Sequence, residues 1–131
     1  MQDLLELARR MMGRAHAPYS KFHVGAALRA DDGSIHGGCN VENAAYPQGT
    51  CAEAGAIAAM VAAGRTRIVE CLVIGPGPDL ITPCGGCRQK LREFARDDLP
   101  IHLCGPDGPV RTVTLGELFP MSFGPHHLAK P

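Results

Sequence analysis

The sequence predicts an α/β protein in which helices cover both faces of a mixed β-sheet, a three-layer α/β/α arrangement. Three observations lead to this class: a hairpin signal in the first third of the chain, an almost wholly apolar helical segment after it, and short apolar strands that alternate with helices in the rest. Strands connected through a helix should run parallel, and the hairpin should be antiparallel. With 131 residues, of which 45% are hydrophobic, residues 1–131 fit a single domain with a buried core.

The first third of the chain is expected to contain one helix and the hairpin. Residues 2–14 place apolar and charged side chains on opposite sides at helical spacing, which predicts an amphipathic surface helix. A turn at 17–20 follows it. Two apolar segments, 22–29 and 34–41, then flank Asp31-Asp32-Gly33, a sequence typical of the tight turn between two antiparallel strands.

Helices and strands are expected to alternate in the rest of the chain. Small apolar helix formers at 51–63, followed by Gly64, predict a buried helix. The segments that follow are expected to be a strand at 71–74, a loop rich in proline and glycine at 76–83, a helix at 86–95, and strands at 101–104 and 110–113. Thr114 and Glu117 have the spacing of a capping box, which predicts a short helix. The residues after it are expected to be loop, with a flexible tail at about 125–131.

The charge balance and the cysteine content limit the classes of function. Lys plus Arg and Asp plus Glu number 13 each, so the chain lacks the basic excess typical of proteins that bind nucleic acid, and a small substrate that is not a polyanion is expected. No apolar run approaches the roughly 20 residues that cross a bilayer, and no secretory leader is evident, which predicts a cytoplasmic protein without a membrane partner. Six cysteines in that compartment indicate metal or redox chemistry rather than disulfides.

Two of the cysteines stand one helical turn apart in Pro83-Cys84-Gly85-Gly86-Cys87, where a helix begins and unpaired backbone N–H groups favour thiolates. This pair alone is compatible with a redox dithiol as well as with a zinc site. Cys51, at the start of the preceding helix, and Glu53 two residues later complete the motif of zinc deaminases, in which the Glu is not a ligand. A redox protein would leave Cys51 and Glu53 unexplained.

Cys51, Cys84 and Cys87 are therefore the predicted zinc ligands. Three thiolates and one water complete a tetrahedral site and leave the exchangeable position that a catalytic metal needs. A purely structural zinc would need a fourth protein ligand, which Cys39 or a histidine would have to supply. Glu53 is predicted to be the catalytic proton carrier, since a carboxylate within hydrogen-bond reach can accept and deliver protons repeatedly.

Six motifs lie in order along nearly the whole chain. They are Ala17-Pro18-Tyr19-Ser20-Lys21-Phe22, Val24-Gly25-Ala26-Ala27, Gly38-Cys39-Asn40-Val41-Glu42-Asn43-Ala44-Ala45-Tyr46, Cys51-Ala52-Glu53, Pro83-Cys84-Gly85-Gly86-Cys87-Arg88-Gln89 and Leu118-Phe119-Pro120-Met121-Ser122-Phe123. Together they resemble the motifs of the small, homotetrameric, zinc-dependent cytidine deaminases.

The resemblance implies a cytidine-deaminase-like fold with a five-stranded mixed sheet, a Zn²⁺ cofactor and a homotetramer with shared active sites. It also implies hydrolytic deamination of cytidine and deoxycytidine to uridine and deoxyuridine with release of ammonia, as in pyrimidine salvage. The alternative is a deaminase of another aminopyrimidine nucleoside, such as a nucleoside antibiotic or a modified cytidine.

Substrate contacts are implied by the same resemblance. It assigns Asn40 and Glu42 to the ribose hydroxyls, and the spacing agrees because positions i and i+2 at a strand end project to the same face. Without the resemblance, the pair is also compatible with side chains that stabilise a turn. Phe22, Tyr46 and Ala52 are expected to contact the substrate, although alternation alone would make Phe22 an ordinary core aromatic.

Phe123 looks like the family residue that reaches into the site of a neighbouring subunit and stacks on the base. Its alternative role is to anchor the tail. Cys39, Cys71 and Cys104 have no role in any motif and are compatible with small apolar filling.

One position departs from the family's pattern. Many members with three cysteine ligands carry Arg directly after the catalytic Glu, whereas this chain has Ala54. Zinc held by three thiolates has a net negative charge, which weakens its activation of water. Arg88 follows Cys87 and is the nearest cation in sequence, so we expect it to compensate this charge together with the helix N-termini. A surface or subunit contact is the alternative role of Arg88.

Overall fold

The computed structural model describes residues 1–128, which form one mixed sheet with helices on both of its faces. The helices are α1 (Gln2–Gly13), α2 (Ala52–Ala62), α3 (Gly85–Phe94), α4 (Leu115–Leu118) and α5 (Pro125–Leu128). The strands are β1 (Gly25–Ala30), β2 (Ile35–Cys39), β3 (Ile68–Ile74), β4 (Pro100–Gly105) and β5 (Gly108–Thr114). A 3₁₀ turn, Tyr46–Gln48, lies between β2 and α2.

The five strands lie in the order β2-β1-β3-β4-β5, which confirms the predicted mixed sheet. β1 is antiparallel to both β2 and β3, and β4 is antiparallel to β5. β3 and β4, which α3 connects, are parallel neighbours. β2 and β3, which α2 connects, also run in the same direction, with β1 between them. The expectation that helix-connected strands run parallel is therefore confirmed.

Alternation along the strands divides the apolar residues between two cores, one on each face of the sheet. On one face, Leu4 and Ala8 of α1 pack with Leu72 of β3. On the other face, Met60 of α2 and Leu91 of α3 join the second core. The predicted three layers are confirmed by this division.

The contact between α2 and β2 is unusually close. A Cβ atom added to Gly38 of β2 would lie 2.3 Å from the backbone nitrogen of Ala56 and 2.4 Å from the carbonyl oxygen of Ala52. Opposite it, a Cβ atom added to Gly55 of α2 would lie 3.4 Å from the Gly38 Cα, at the near limit of ordinary contact. The start of α2 lies directly over the end of β2, and at this separation only glycine fits at position 38.

Two strands begin three residues away from their predicted starts. β1 begins at Gly25 rather than at 22, because the preceding segment pairs with a side chain: Asn40 donates to the Phe22 carbonyl (2.7 Å) and accepts from the Val24 N–H (2.9 Å). β3 begins at Ile68, three residues before the predicted start, because its backbone pairing with β1 extends that far. The prediction missed these residues because Glu70 interrupts the apolar pattern.

The C-terminal part contains one predicted helix and one that was not predicted. The capping box of α4 is present: Thr114 Oγ1 accepts from the Glu117 N–H (3.2 Å), and Glu117 Oε1 accepts from the Thr114 N–H (2.9 Å). Residues 125–128 form α5 instead of the expected loop, and residues 129–131 of the predicted tail lie outside the described residues. Within residues 1–128, none of the helices has both the length and the apolar composition required to cross a bilayer.

Candidate active site

Three cysteine sulfurs meet where two helices begin. Cys51 is the N-cap residue of α2, Cys84 is the N-cap residue of α3, and Cys87 lies in the first turn of α3. Their Sγ atoms all lie within 4.8 Å of one another, and the distance between the Cys51 and Cys84 sulfurs is 3.6 Å. The cluster lies at the N-termini of both helices, whose free N–H groups favour negative charge there.

The donor set fits a zinc ion. Burial raises the pKa of the Cys51 and Cys87 thiols. At Cys84 burial also raises the pKa, but the hydrogen bonds from the Cys87 backbone N–H and from the Cys51 and Cys87 side chains together outweigh it and lower the pKa. Three thiolates this close need a cation to offset their charge, and soft sulfur ligands suit Zn²⁺. Within residues 1–128, neither Cys39 nor a histidine joins the three sulfurs, so this group leaves a coordination position for water.

Glu53 lies in the first turn of α2 with only 4% of its surface exposed. Burial raises the pKa of its carboxyl, which brings the group closer to the range in which it can both accept and release a proton near neutral pH. A buried carboxyl next to a metal-binding cluster is the arrangement that proton transfer at a metal site requires.

A cavity of about 470 Å³, called the Glu53 cavity below, opens beside the cluster. Its size is in the range of small-molecule binding sites. The lining brings together all of the predicted substrate-contact residues except Phe123, together with two predicted ligands and the proton carrier: Phe22, Asn40, Glu42, Tyr46, Ala52, Cys51, Cys84 and Glu53.

Asn40 and Glu42 follow the end of β2 and are both fixed by the segment before β1. Asn40 uses its amide to bridge the backbone of Phe22 and Val24. Glu42 Oε1 accepts from the N–H groups of Tyr19 (2.9 Å) and Ser20 (3.1 Å), and Oε2 accepts from the Ser20 hydroxyl. The Ser20 hydrogen bond is the main cause of a lowered Glu42 pKa, so the carboxylate stays ionised.

Besides the buried Cys87, two of the predicted site residues, Phe123 and Arg88, lie outside the lining of this cavity in the single chain. The Phe123 ring is half exposed and stacks on His127, with ring centroids 4.9 Å apart. The Arg88 guanidinium donates to the carbonyls of Pro83 and Leu118, both at 2.7 Å, and to the Thr82 hydroxyl at 2.8 Å. The hydrogen bonds of Arg88 therefore brace the loop that carries Cys84.

Sequence reasoning did not assign a role to several residues that line the cavity, namely Ser20, Val24, Val41, Gly49, Thr50, Ile81 and Thr82. Ser20 and Val24 lie within motifs that carried the resemblance, so their position was a usable signal. Ile81 and Thr82 lie in the loop before Pro83, where no local pattern indicates which side chains turn toward the cavity.

The family model for the cytidine and deoxycytidylate deaminase zinc-binding region matches residues 1–103, a range that contains all three cysteines and Glu53. The chain belongs to this deaminase family. Its metal cofactor is accordingly zinc, with the three-sulfur cluster as the site that fits it. Membership also makes the protein a hydrolytic deaminase in class.

Individual deaminases of the family are similar over most of the chain. A cytidine deaminase of Sporosarcina psychrophila is 36% identical over 129 residues, which cover 98% of this chain and 95% of that protein. A cytidine deaminase of Mycobacterium tuberculosis is 41% identical over 110 residues, covering 84% and 79% of the two chains. The crystal structure of cytidine deaminase from Burkholderia pseudomallei has a TM-score of 0.87 and 40% identity, and covers 93% of this chain and 98% of that chain.

Proposed function

We propose that this protein catalyses the zinc-dependent hydrolytic deamination of cytidine and deoxycytidine to uridine and deoxyuridine, with release of ammonia. The observation that carries the proposal is the buried carboxyl of Glu53 in a nucleoside-sized cavity whose wall contains Cys51 and Cys84. The deaminase family and the similar cytidine deaminases support the same reaction.

Glu53 moves the protons in this reaction. When bound, zinc supplies a Lewis acid that lowers the pKa of water and so makes a nucleophile available at neutral pH. Glu53 accepts the proton of the attacking water and delivers it to ring N3, which makes C4 of the pyrimidine more electrophilic. It then takes the proton of the hydroxyl newly added at C4 and passes it to the amino group, which leaves as ammonia while the C4 carbonyl forms. A single carboxyl serves all of these steps because it accepts and releases protons in turn, and burial raises its pKa toward the range in which both are favourable.

Asn40 and Glu42 recognise the sugar. A carboxylate has about four acceptor sites and an amide NH₂ has two donors. Glu42 uses three of its sites on the Tyr19–Ser20 turn, and Asn40 uses one N–H on Phe22. One sugar hydroxyl can donate to the remaining Glu42 site and accept from the remaining Asn40 N–H. Since one hydroxyl is enough, both ribonucleosides and deoxyribonucleosides should bind.

The base is enclosed by Phe22, Tyr46 and Ala52 from the same chain and by Phe123 from a neighbouring subunit of a homotetramer. The exposed apolar surface supports this assembly: 41% of Phe22, 74% of Tyr46 and 55% of Phe123 are accessible in the single chain. Aromatic residues at the mouth of a cavity are typical of a surface that a partner covers.

A role in cytoplasmic pyrimidine salvage is part of the proposal. The cysteines that face the metal must remain reduced to act as ligands, which a reducing compartment ensures. Free nucleosides are the small, uncharged substrates that the balanced charge of the chain favours.

The test is a substrate panel with the purified, mildly reduced protein. We expect zinc bound by each chain and ammonia release from cytidine and deoxycytidine, with a loss of both after chelation. Ammonia release from a modified cytidine but not from cytidine would support the alternative aminopyrimidine substrate. Dithiol–disulfide exchange activity without bound zinc would support the redox alternative and contradict the proposal.

A further inference from the structure

Ser20 joins two residues that the proposed function places on opposite parts of the substrate. Its hydroxyl donates to Glu42 Oε2 and accepts from the backbone N–H of Phe22 at 3.0 Å. Its own N–H donates to Glu42 Oε1 at 3.1 Å. One side chain therefore contacts both the sugar-binding carboxylate and the residue whose ring faces the base.

The backbone next to Ser20 is held in an unfavourable conformation. Lys21, between Ser20 and Phe22, has a φ of 61°, in the left-handed region that non-glycine residues rarely adopt. Such a conformation persists only where surrounding contacts determine it. The hydrogen bond from Lys21 N–H to the Ala17 carbonyl (3.0 Å) holds one side of this turn, and the Ser20 hydroxyl holds the other through Phe22.

We propose that Ser20 is a positioning residue that fixes Glu42 and Phe22 relative to each other, so that binding of the sugar hydroxyl places the base correctly. This inference rests on the proposed function. The Ser20 hydroxyl has a single proton, and Glu42 accepts it, so Ser20 has no donor left for the substrate. Ser20 therefore acts through Glu42 and Phe22.

The chain contains a matched control for a serine that only stabilises a turn. Ser34, in the turn between β1 and β2, donates from its hydroxyl (2.6 Å) and from its N–H (3.1 Å) to Asp32. The two serines thus share the same contacts to a carboxylate, but Ser34 does not line the Glu53 cavity. A purely structural role would give Ser20→Ala and Ser34→Ala the same kinetic effect.

The test compares deoxycytidine with 2′,3′-dideoxycytidine, which lacks the ring hydroxyl. We expect Ser20→Ala to lower kcat/KM for deoxycytidine about tenfold or more, mainly through KM, because a hydrogen bond to a charged group contributes about that factor. The dideoxy substrate should lose less than about twofold, since Glu42 has no hydroxyl to bind there. Ser20→Thr, which keeps the hydroxyl, should restore most of the loss, and Ser34→Ala should leave both substrates unchanged.

A double-mutant cycle with Glu42→Gln shows whether the two residues act together. In the Glu42→Gln background, Ser20→Ala should add less than about twofold. Equal losses on the two substrates, or independent losses in the cycle, would overturn the proposal. If Ser20→Ala does not fold, Ser20→Cys, with a weaker donor of similar size, takes its place in the same comparison. A parent protein without activity on deoxycytidine would overturn the proposed function as well, whereas an active parent matched by Ser20→Ala would overturn only the role of Ser20.

Discussion

The proposed role of Glu53 as proton carrier can be tested by a substitution that removes little else. Glu53→Gln keeps the size and hydrogen bonding of the side chain but cannot carry a proton. We expect the loss of at least about 100-fold in kcat, since general acid–base catalysis contributes about that factor or more. Zinc content and melting temperature should match the parent, and both are measured on the same preparation. Activity within tenfold of the parent would contradict the assignment.

Arg88 supplies a positive charge at the start of α3, and we propose that this charge offsets the thiolates. Arg88→Ala should slow turnover and move the activity-versus-pH profile to higher pH, because a more negative cluster makes ionisation of the attacking water harder. Arg88→Lys serves as the control, since it keeps the charge but loses the bonds to Thr82, Pro83 and Leu118. A slow Arg88→Ala variant with an unchanged pH profile would assign Arg88 to bracing the loop alone.

At the residue scale, the sequence predicted the roles of residues that lie only a few positions apart in the chain. Cys84 and Cys87 are one helical turn apart, and Cys51 and Glu53 are two positions apart, so the sequence alone was enough to predict a metal site and a proton carrier there. Ser20 was not predictable in the same way because its main partner, Glu42, lies 22 positions away. Such a pairing depends on how β2 returns toward the start of β1.

At the scale of elements, a polar ladder crosses the sheet away from the zinc site. Arg29 of β1 donates to Glu70 of β3 (3.1 Å), Glu70 bonds to His102 of β4 (2.7 Å), and His102 bonds to Thr112 of β5 (2.8 Å). Burial raises the pKa of Glu70, but the hydrogen bonds from His102 and Arg29 outweigh it and leave the pKa below the usual 4.5.

The ladder makes part of the stability dependent on pH. Because the Glu70 pKa is lowered in the folded state, its carboxylate stabilises the fold above about pH 4.5 and loses this effect as pH falls through the lower folded value. Glu70→Gln should reduce the free energy of unfolding by about 1 kcal/mol at pH 7. The difference from the parent should close below pH 4.5. Denaturant melts across that range provide the measurement, with Glu6→Gln on the exposed face of α1 as control; a difference that is independent of pH would argue against the ladder.

Element types were easier to predict than element boundaries. Apolar runs indicated every strand of the sheet, but β3 includes Glu70, whose polar partners lie on β1 and β4 and are invisible in a local pattern. β1 starts later than predicted because the Asn40 side chain, from another segment, is hydrogen-bonded to the backbone of Phe22 and Val24. In both cases a contact distant in sequence sets the boundary.

At the scale of the whole molecule, the proposed sharing of active sites within a tetramer depends on Phe123. If its ring stacks on the base in a neighbouring site, Phe123→Ala should raise KM by a factor of about 10, since base–aromatic stacking contributes about 1–3 kcal/mol. Folding should be little affected. His127→Ala is the control, because it removes the stacking partner of Phe123 within the chain and keeps the ring itself.

The same variant set is measured by light scattering and by activity over a dilution series. The parent should lose activity as the assembly dissociates. A monomer that is fully active at assay concentration would refute sharing of the site between subunits.

The close contact of Gly38 with the backbone of α2 limits the length of the substrates that the cavity can accept. β2 leads directly into Asn40 and Glu42, and Cys51 and Glu53 lie at the N-terminus of α2. The contact therefore joins the proposed sugar end and the proposed reacting end of the cavity into one rigid frame. The distance between the two ends is therefore set by the backbone and not by side chains. Side-chain substitutions can widen the cavity for bulkier bases, whereas a substrate with a longer link between base and sugar would require α2 and β2 to move apart.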